Sequence, residues 1–381
     1  MLKRRRRLRL DLRTKDRQRI DTNCNCPLSD LTYIYDKMQT QAAYYDGIED
    51  MTKKETDRTH VCEVENTGLM TSSKKKSYLV TKFAYTHEPI NKWRDLYDIF
   101  CSDFPESNTD ETWLFRGHND PNEPIRTSLE KALCNIAGED VKDEVALTKL
   151  LSSGLNGSSV KDIERGLIRR FKRQYYHFDL RIPDNDIEWL SLMRHYGAPI
   201  RMLDWTYSFF VAVFFAIEDS VSKDGAAIWA LDKNTIINNA KKINNIGALL
   251  NQDEDISKDE TWKKCFFCPK RPQLFVFPTN PFRLNERLVI QQGDLLCQGY
   301  ISRTFEENLG AVLPPVTNKA HSKLRKYILK FDPKERQKAL LALQRMNVSR
   351  ATLFPGLEGF SKSLKTLLVS PKKLLYPGNP C

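Results

Sequence analysis

The sequence predicts an α+β fold: a single mixed domain with a small, mostly antiparallel sheet, a buried central helix and flanking helices. Three observations carry this expectation. Phe209–Ile217 (FFVAVFFAI) is apolar on all sides, so as a helix it belongs at the centre of a core. Residues 90–104 place Trp93, Leu96, Tyr97, Phe100 and Phe104 at helical spacing. Tyr78–Tyr85 (YLVTKFAY), Trp113–Phe115 and Ala227–Leu231 (AIWAL) have the length and composition of short strands.

In chain order, residues 1–76 read as a basic, weakly ordered leader ending in the polar run Ser72–Lys76. After the strand at 78–85 and the helix at 90–104, helices are expected at 126–137, 141–152, 160–177 and 186–195. Asp204 or Thr206 is suited to cap the N-terminus of the Phe209–Ile217 helix. Residues 234–264 are rich in Asn, Lys and Asp and predict a surface excursion with some helix. Strands are expected at 273–277, 287–291 and 294–298. Asp332-Pro333 has the form of a cap followed by Pro at the first helical position, opening a helix to Gln344, and another helix follows Pro355. The chain shows no internal repeat and no heptads.

With 381 residues, 40% hydrophobic and 29% charged, the composition is that of an ordinary globular protein of one or two domains. The longest apolar run, Phe209–Ile217, is far below the ~20 residues that span a bilayer, so no membrane span is expected. Lys3–Arg7 is followed by Leu-Arg-Leu-Asp rather than by the apolar segment of a secretory signal. Nine cysteines without a paired framework suggest reduced thiols and a cytoplasmic location. The formal charge of +11 is concentrated: residues 1–20 carry +8, leaving +3 for the other 361. That arm has the chemistry to hold RNA, DNA or an anionic membrane surface. It reads equally as a solvated tail, or as sequence upstream of a true start at Met38, Met51 or Met70.

The phosphate-cradling Gly-rich loop, HExxH, GxSxG and the dinucleotide fingerprint are missing. Cys265-Phe-Phe-Cys268 has the spacing of half a zinc site. Its only candidate partner pair is Cys24-Asn-Cys26, so no metal is assigned. Two segments are denser in reactive side chains than a core requires. In Phe115-Arg116-Gly117-His118, Arg116 at the end of a strand is placed to present a guanidinium to an anion, and Gly117 would let a ligand approach. The bland reading pairs Arg116 with a buried carboxylate. In Arg194–Thr206 (RHYGAPIRMLDWT), His, Tyr, two Arg, Asp and Thr flank a Gly-Pro turn. There Arg201 and Asp204 are close enough in sequence to pair with each other.

These two segments, together with Arg287-Leu-Val-Ile-Gln291-Gln292-Gly293 and Ser349–Gly359 (SRATLFPGLEG), resemble the FRG domain family, named for its Phe-Arg-Gly motif. The resemblance spans about residues 85–370 and implies an FRG domain over 77–372, with a leader at 1–76 and a tail at 373–381. The chain departs from the family pattern at His118 and Arg194, where Gln is usual, and at Ile200, where Thr is usual. A more distant parallel is with ADP-ribosyltransferases of the Arg–Ser–Glu class. Arg116 matches their NAD-holding Arg, Leu203–Thr206 with Ala212 and Phe215 is shaped like their second motif, and Asn285–Gly293 like their third. Arg287 stands where the catalytic Glu would be, and Glu286, on a strand, would point to the opposite face.

The reading is a pocket for a nucleotide, NAD-like or other anionic ligand, formed by the FRG, HYGxPxRxLDWT and QQG motifs, in a protein that would serve as a toxin or defence effector. Arg116, Gly117, Tyr196, Arg201, Trp205, Gln291 and Gln292 would bind the ligand, and His195, Asp204 and Thr206 would act on it. NAD is the cofactor that the distant parallel implies. The alternative is a non-catalytic interaction module whose motif residues are structural.

Overall fold

A computed structural model describes residues 82–105, 112–138, 144–176, 182–220, 222–244, 246–252, 259–267, 271–279 and 285–367, with positions 269 and 281. All lie in the unit that begins at Thr71. The basic arm, Cys24, Cys26, Cys268 and the tail at 373–381 fall outside the described residues.

The elements are β1 (Ala84–Thr86), α1 (Trp93–Asp103), β2 (Trp113–His118), α2 (Ser128–Ala137), α3 (Glu144–Ser153), α4 (Val160–Tyr175), α5 (Asp186–His195), β3 (Met202–Thr206), α6 (Phe209–Ile217) and β4 (Ala226–Asp232). They are followed by α7 (Lys233–Lys241), α8 (Gly247–Gln252), α9 (Asp259–Trp262), a wide helical turn at Lys263–Phe267, β5 (Val276–Thr279), α10 (Glu286–Ile290) and β6 (Gly293–Gln298). The last are α11 (Phe305–Gly310), β7 (Leu324–Leu329), α12 (Pro333–Arg345), α13 (Arg350–Leu353) and α14 (Leu357–Leu367).

The seven strands form one sheet in the order β1-β7-β4-β2-β3-β6-β5. Among the described strands, β1 and β7 pair in parallel and the other neighbours pair antiparallel. Side chains alternate between two cores. Phe115, Ile228, Ala230 and Tyr327 face α6, while Leu114, Trp229, Leu231 and Leu203 join the core on the other side. With both faces covered, β4 is buried along its whole length, which explains its apolar run from Ala226 to Leu231. The all-round apolar α6 is buried as expected, packed on β2 and β4, with Phe100 of α1 and Phe104 just after it against Phe209.

Several expectations are corrected. Residues 287–291 are not a strand: Glu286–Ile290 is a helix whose Asn285 cap accepts from Leu288 N at 2.8 Å, and the apolar Leu-Val-Ile run reads the same in either state. Residues 202–206 form a strand, so neither Asp204 nor Thr206 caps α6. Ser208 does, accepting from Val211 N. The segment 234–264 is no simple surface excursion, since Ile236, Ala240, Ile246, Leu250 and Trp262 are buried. The first strand begins only at Ala84 (positions 78–81 lie outside the described residues), and β7 was not expected from its charged start, Leu-Arg-Lys.

Candidate functional site

The site begins where two central strands part. β2 and β3 register at a single pair, Phe115 with Thr206. Past that pair the Arg116 guanidinium bridges the gap, donating from Nη1 to the Asp204 carbonyl at 2.5 Å. Its Nε donates to His118 Nε2 at 3.1 Å, and His118 Nδ1 lies 3.3 Å from the Glu123 carbonyl. These partners require a neutral imidazole with its proton on Nδ1. Burial, followed by the Arg116 charge, holds His118 well below the usual histidine range, in keeping with that tautomer. Burial brings the Arg116 guanidinium down to about 10, against the pull of Asp204, and leaves it charged at neutral pH.

Gly117 serves packing. A Cβ there would stand 2.1 Å from the Ala212 carbonyl oxygen and 2.5 Å from Ala216 N, so the residue lets α6 lie directly on β2. The backbone that approaches Gly117 is that of a helix.

Beside this gap lies a cleft of about 280 Å³. Arg116, Lys131, Arg194 and Arg287 line it against only two carboxylates, Glu123 and Asp204. A smaller recess holding His195 and Asn285 adjoins it, sharing Arg194, Asp204, Arg287 and Gln291 as walls. Lys131 pairs with Glu123 at 2.5 Å on the rim. Arg194 gives both Nε, at 2.7 Å, and Nη2 to Asp204 Oδ2. Burial opposes ionisation of Asp204, but the Arg194 charge and hydrogen bonds overcome it and hold the carboxyl below its ordinary range. No hydrogen bond or ion pair reaches the Arg287 guanidinium among the described residues; it rests 4.3 Å from the centre of the Phe354 ring. Burial, then the balance of Asp204 against Arg194 and Arg350, sets Arg287 below its ordinary range.

The expected site residues divide. Arg116, Gly117, Asp204, Thr206 and Gln291 line the cleft, and His195 lines its recess. Burial and the Arg287 charge lower His195, leaving it an unprotonated base at neutral pH. Thr206 spends its hydroxyl on the scaffold, donating to Gln291 O at 2.7 Å and accepting from Ser208 N at 3.0 Å. Gln291 Nε2 donates to Leu353 O at 2.9 Å. Gln292 is exposed at φ 48° in the turn into β6. Tyr196 is exposed at the end of α5, against Phe171 rather than in the cleft. Trp205 touches the cleft wall but is itself 2% exposed and belongs to the opposite core.

Arg201 does not meet Asp204. It is fully buried, pairs with Glu164 through Nε at 2.7 Å and through Nη2, donates to Phe266 O at 2.9 Å, and lies over the Phe267 ring. Residues three apart on an extended chain face opposite sides, which separates the two.

Arg287, whose guanidinium has no hydrogen bond among the described residues, lies outside the expected ligand-binding set. Its signal was a lone Arg in an apolar run, and the assumed strand assigned it a different geometry. The helical 286–290 segment also breaks the third motif of the ADP-ribosyltransferase parallel, whose form is a strand entry. A larger groove of about 900 Å³ elsewhere, bounded by Phe83, Val145 and Leu313, contains none of the motif residues.

A family model described as FRG domain matches residues 111–225. The chain carries an FRG domain. The match runs from β2 to the threshold of β4 and supplies Arg116, Arg194 and Asp204, while Arg287, Gln291 and Phe354 come from beyond it. His118 and Arg194 both make polar contacts in the cleft. No curated protein and no solved structure matches the chain. No described helix is long and apolar enough to cross a membrane. Cys265 is buried, which pushes its thiol up to about 11.

Proposed function

We propose that the cleft binds an anionic ligand of the phosphate-ester class, with nucleotides as the leading members. The observation that carries this is Arg287: a half-buried guanidinium with no hydrogen bond or ion pair among the described residues, in a cleft lined by four cations and two carboxylates. A guanidinium offers five donors in a planar fork that matches phosphate oxygens. A cleft of about 280 Å³ is slightly below the ~300–1,000 Å³ usual for small-molecule sites, which suits a small ligand or one end of a larger one. Calorimetric titration of the purified protein with inorganic pyrophosphate and with adenine nucleotides tests this. Binding that weakens at least tenfold in Arg287→Ala, with thermal stability unchanged, is expected; binding indifferent to Arg287→Ala overturns it.

A second reading, in which the ligand is turned over, is favoured by His195, an unprotonated base in the recess adjoining Asp204 and Arg287. Product formation lost in His195→Gln, with binding retained, would distinguish turnover from binding alone. NAD belongs among the nucleotides assayed.

A further inference from the structure

The Ser349–Gly359 segment lies outside the FRG match, yet it touches residues that line the cleft, Phe354 meeting Arg287 and Phe215 and Leu353 meeting Gln291. The Phe354 ring centre is 4.3 Å from the Arg287 guanidinium and 4.6 Å from that of Arg350. Arg350 is itself fixed, giving Nε and Nη2 to the two oxygens of Glu218 at 2.5 Å each, at the C-terminal end of α6. The edge of Phe354 meets Phe215 of α6, a cleft wall, with centroids 5.9 Å apart. On its other side α14 comes so close that a Cβ at Gly359 would stand 1.9 Å from Phe354 O and 2.7 Å from Phe354 Cβ. Gln291 Nε2 ties the end of α10 to Leu353 O. Phe354 is thus held between α6, α13 and α14, and its ring is the face against which the Arg287 guanidinium rests.

We propose that Phe354 is the positioning residue for Arg287, so that the C-terminal segment completes the anion site begun by the FRG domain. A long side chain with no polar partner loses several rotors of freedom whenever it orders on a ligand. An aromatic face against the guanidinium restricts those rotors beforehand without pairing its charge, so that its N–H donors stay free of a carboxylate. A carboxylate partner would restrain Arg287 equally but would occupy the donors that a phosphate needs. The arrangement therefore provides orientation without neutralisation. The proposal rests on the anion-binding reading for its consequence, but the placement of Arg287 can be measured without any ligand.

The experiment uses the full chain in four forms: wild type, Phe354→Leu, Phe354→Tyr and Arg287→Ala. In ligand-free protein labelled with ¹⁵N-arginine, the Arg287 Nε–H resonance, assigned by its loss in Arg287→Ala, should be shifted upfield by the ring. It should return to the ordinary position in Phe354→Leu and stay shifted in Phe354→Tyr. In titrations with inorganic pyrophosphate, Phe354→Leu should weaken binding about tenfold and Phe354→Tyr should restore it, while binding in Arg287→Ala shows whether the anion site itself exists. An unshifted Arg287 resonance in the wild type, or one unmoved by Phe354→Leu, overturns the positioning role whatever the ligand. Wild-type affinity in Phe354→Leu beside lost affinity in Arg287→Ala also overturns it. Affinity insensitive to Arg287→Ala, with the resonance behaving as expected, overturns the anion-binding reading and leaves the placement of Arg287 established.

Discussion

Arg201 and Asp204 stand three residues apart and face opposite sides of the sheet, each with a different partner. Arg201 is sealed against Glu164 of α4, and Asp204 meets Arg194 of α5 at the cleft. A structural ion pair at the entry to β3 and a candidate binding group within it thus lie three residues apart.

The first prediction follows from that division. The Arg201–Glu164 pair has both members buried, and removing one partner strands a charge in the core, at a cost of about 3–5 kcal/mol. Glu164→Gln and Arg201→Met should lower the denaturation midpoint sharply. Ligand affinity in whatever fraction stays folded should be unchanged. A selective loss of ligand binding in a fully stable Arg201→Met protein would return Arg201 to the site.

Gly117→Ala is expected to be among the most damaging single substitutions. The added methyl meets backbone atoms of α6 at 2.1 and 2.5 Å, and backbone cannot swing aside as a side chain can. Overpacking costs typically about 1–3 kcal/mol, and a helix displaced from its strand should reach or exceed the top of that range. Thermal denaturation measures it. A variant within about 0.5 kcal/mol of wild type would mean that α6 can slide and that Gly117 has another purpose.

These two cases show what was legible in the sequence. Helices with caps and clear periodicity, such as α12 behind Asp332-Pro333 and α5 at 186–195, are read directly, because their signals are local. The strand at 202–206 and the helix at 286–290 are not, since both are short and the sheet or an Asn cap decides them. Sequence spacing does not say which of Arg194 and Arg201 reaches Asp204, and the structure brings Arg194 to it while burying Arg201 against Glu164. That choice depends on strand parity, and the strand itself was unseen. Glu164, the partner of Arg201, lies 37 residues away with no local signature.

Stability should also depend on pH through Glu130. Its carboxyl is buried at the start of α2, where Oε2 accepts from Thr127 N and Oε1 from Phe305 N, each at 2.6 Å. Burial pushes it up to about 8, against the pull of those backbone donors. A carboxyl raised above its ordinary 4.5 binds its proton more tightly in the native state. Its contribution is therefore fully present below about 4.5 and is lost as pH rises through about 8. The expected slope between these limits is a loss of at most about 1.4 kcal/mol per pH unit. Urea titrations at pH 5, 6, 7 and 8 should show the decline in wild type and a flatter profile in Glu130→Gln. Parallel profiles would assign the slope to other groups.

Asp204 gives the sharpest test of what the cleft is for. It is the carboxylate toward which Arg116, Arg194 and Arg287 all contribute charge, and with its removal the lining falls to one acid, Glu123, against four cations. Asn at this position keeps an oxygen for Arg194 and removes the charge. If the cleft selects anions by its field, Asp204→Asn should bind inorganic pyrophosphate several-fold more tightly at low ionic strength. The gain should shrink above ~0.1 M salt, where the screening length falls to ~10 Å. If Asp204 instead accepts a hydrogen bond from a ligand hydroxyl, nucleotide affinity should fall in the same variant while pyrophosphate affinity rises, and the difference between the two ligands isolates that contact. Weaker binding of both, in a protein of wild-type stability, would show that Asp204 acts by holding Arg194 in place and that the orientation of Arg194 outweighs the charge it meets.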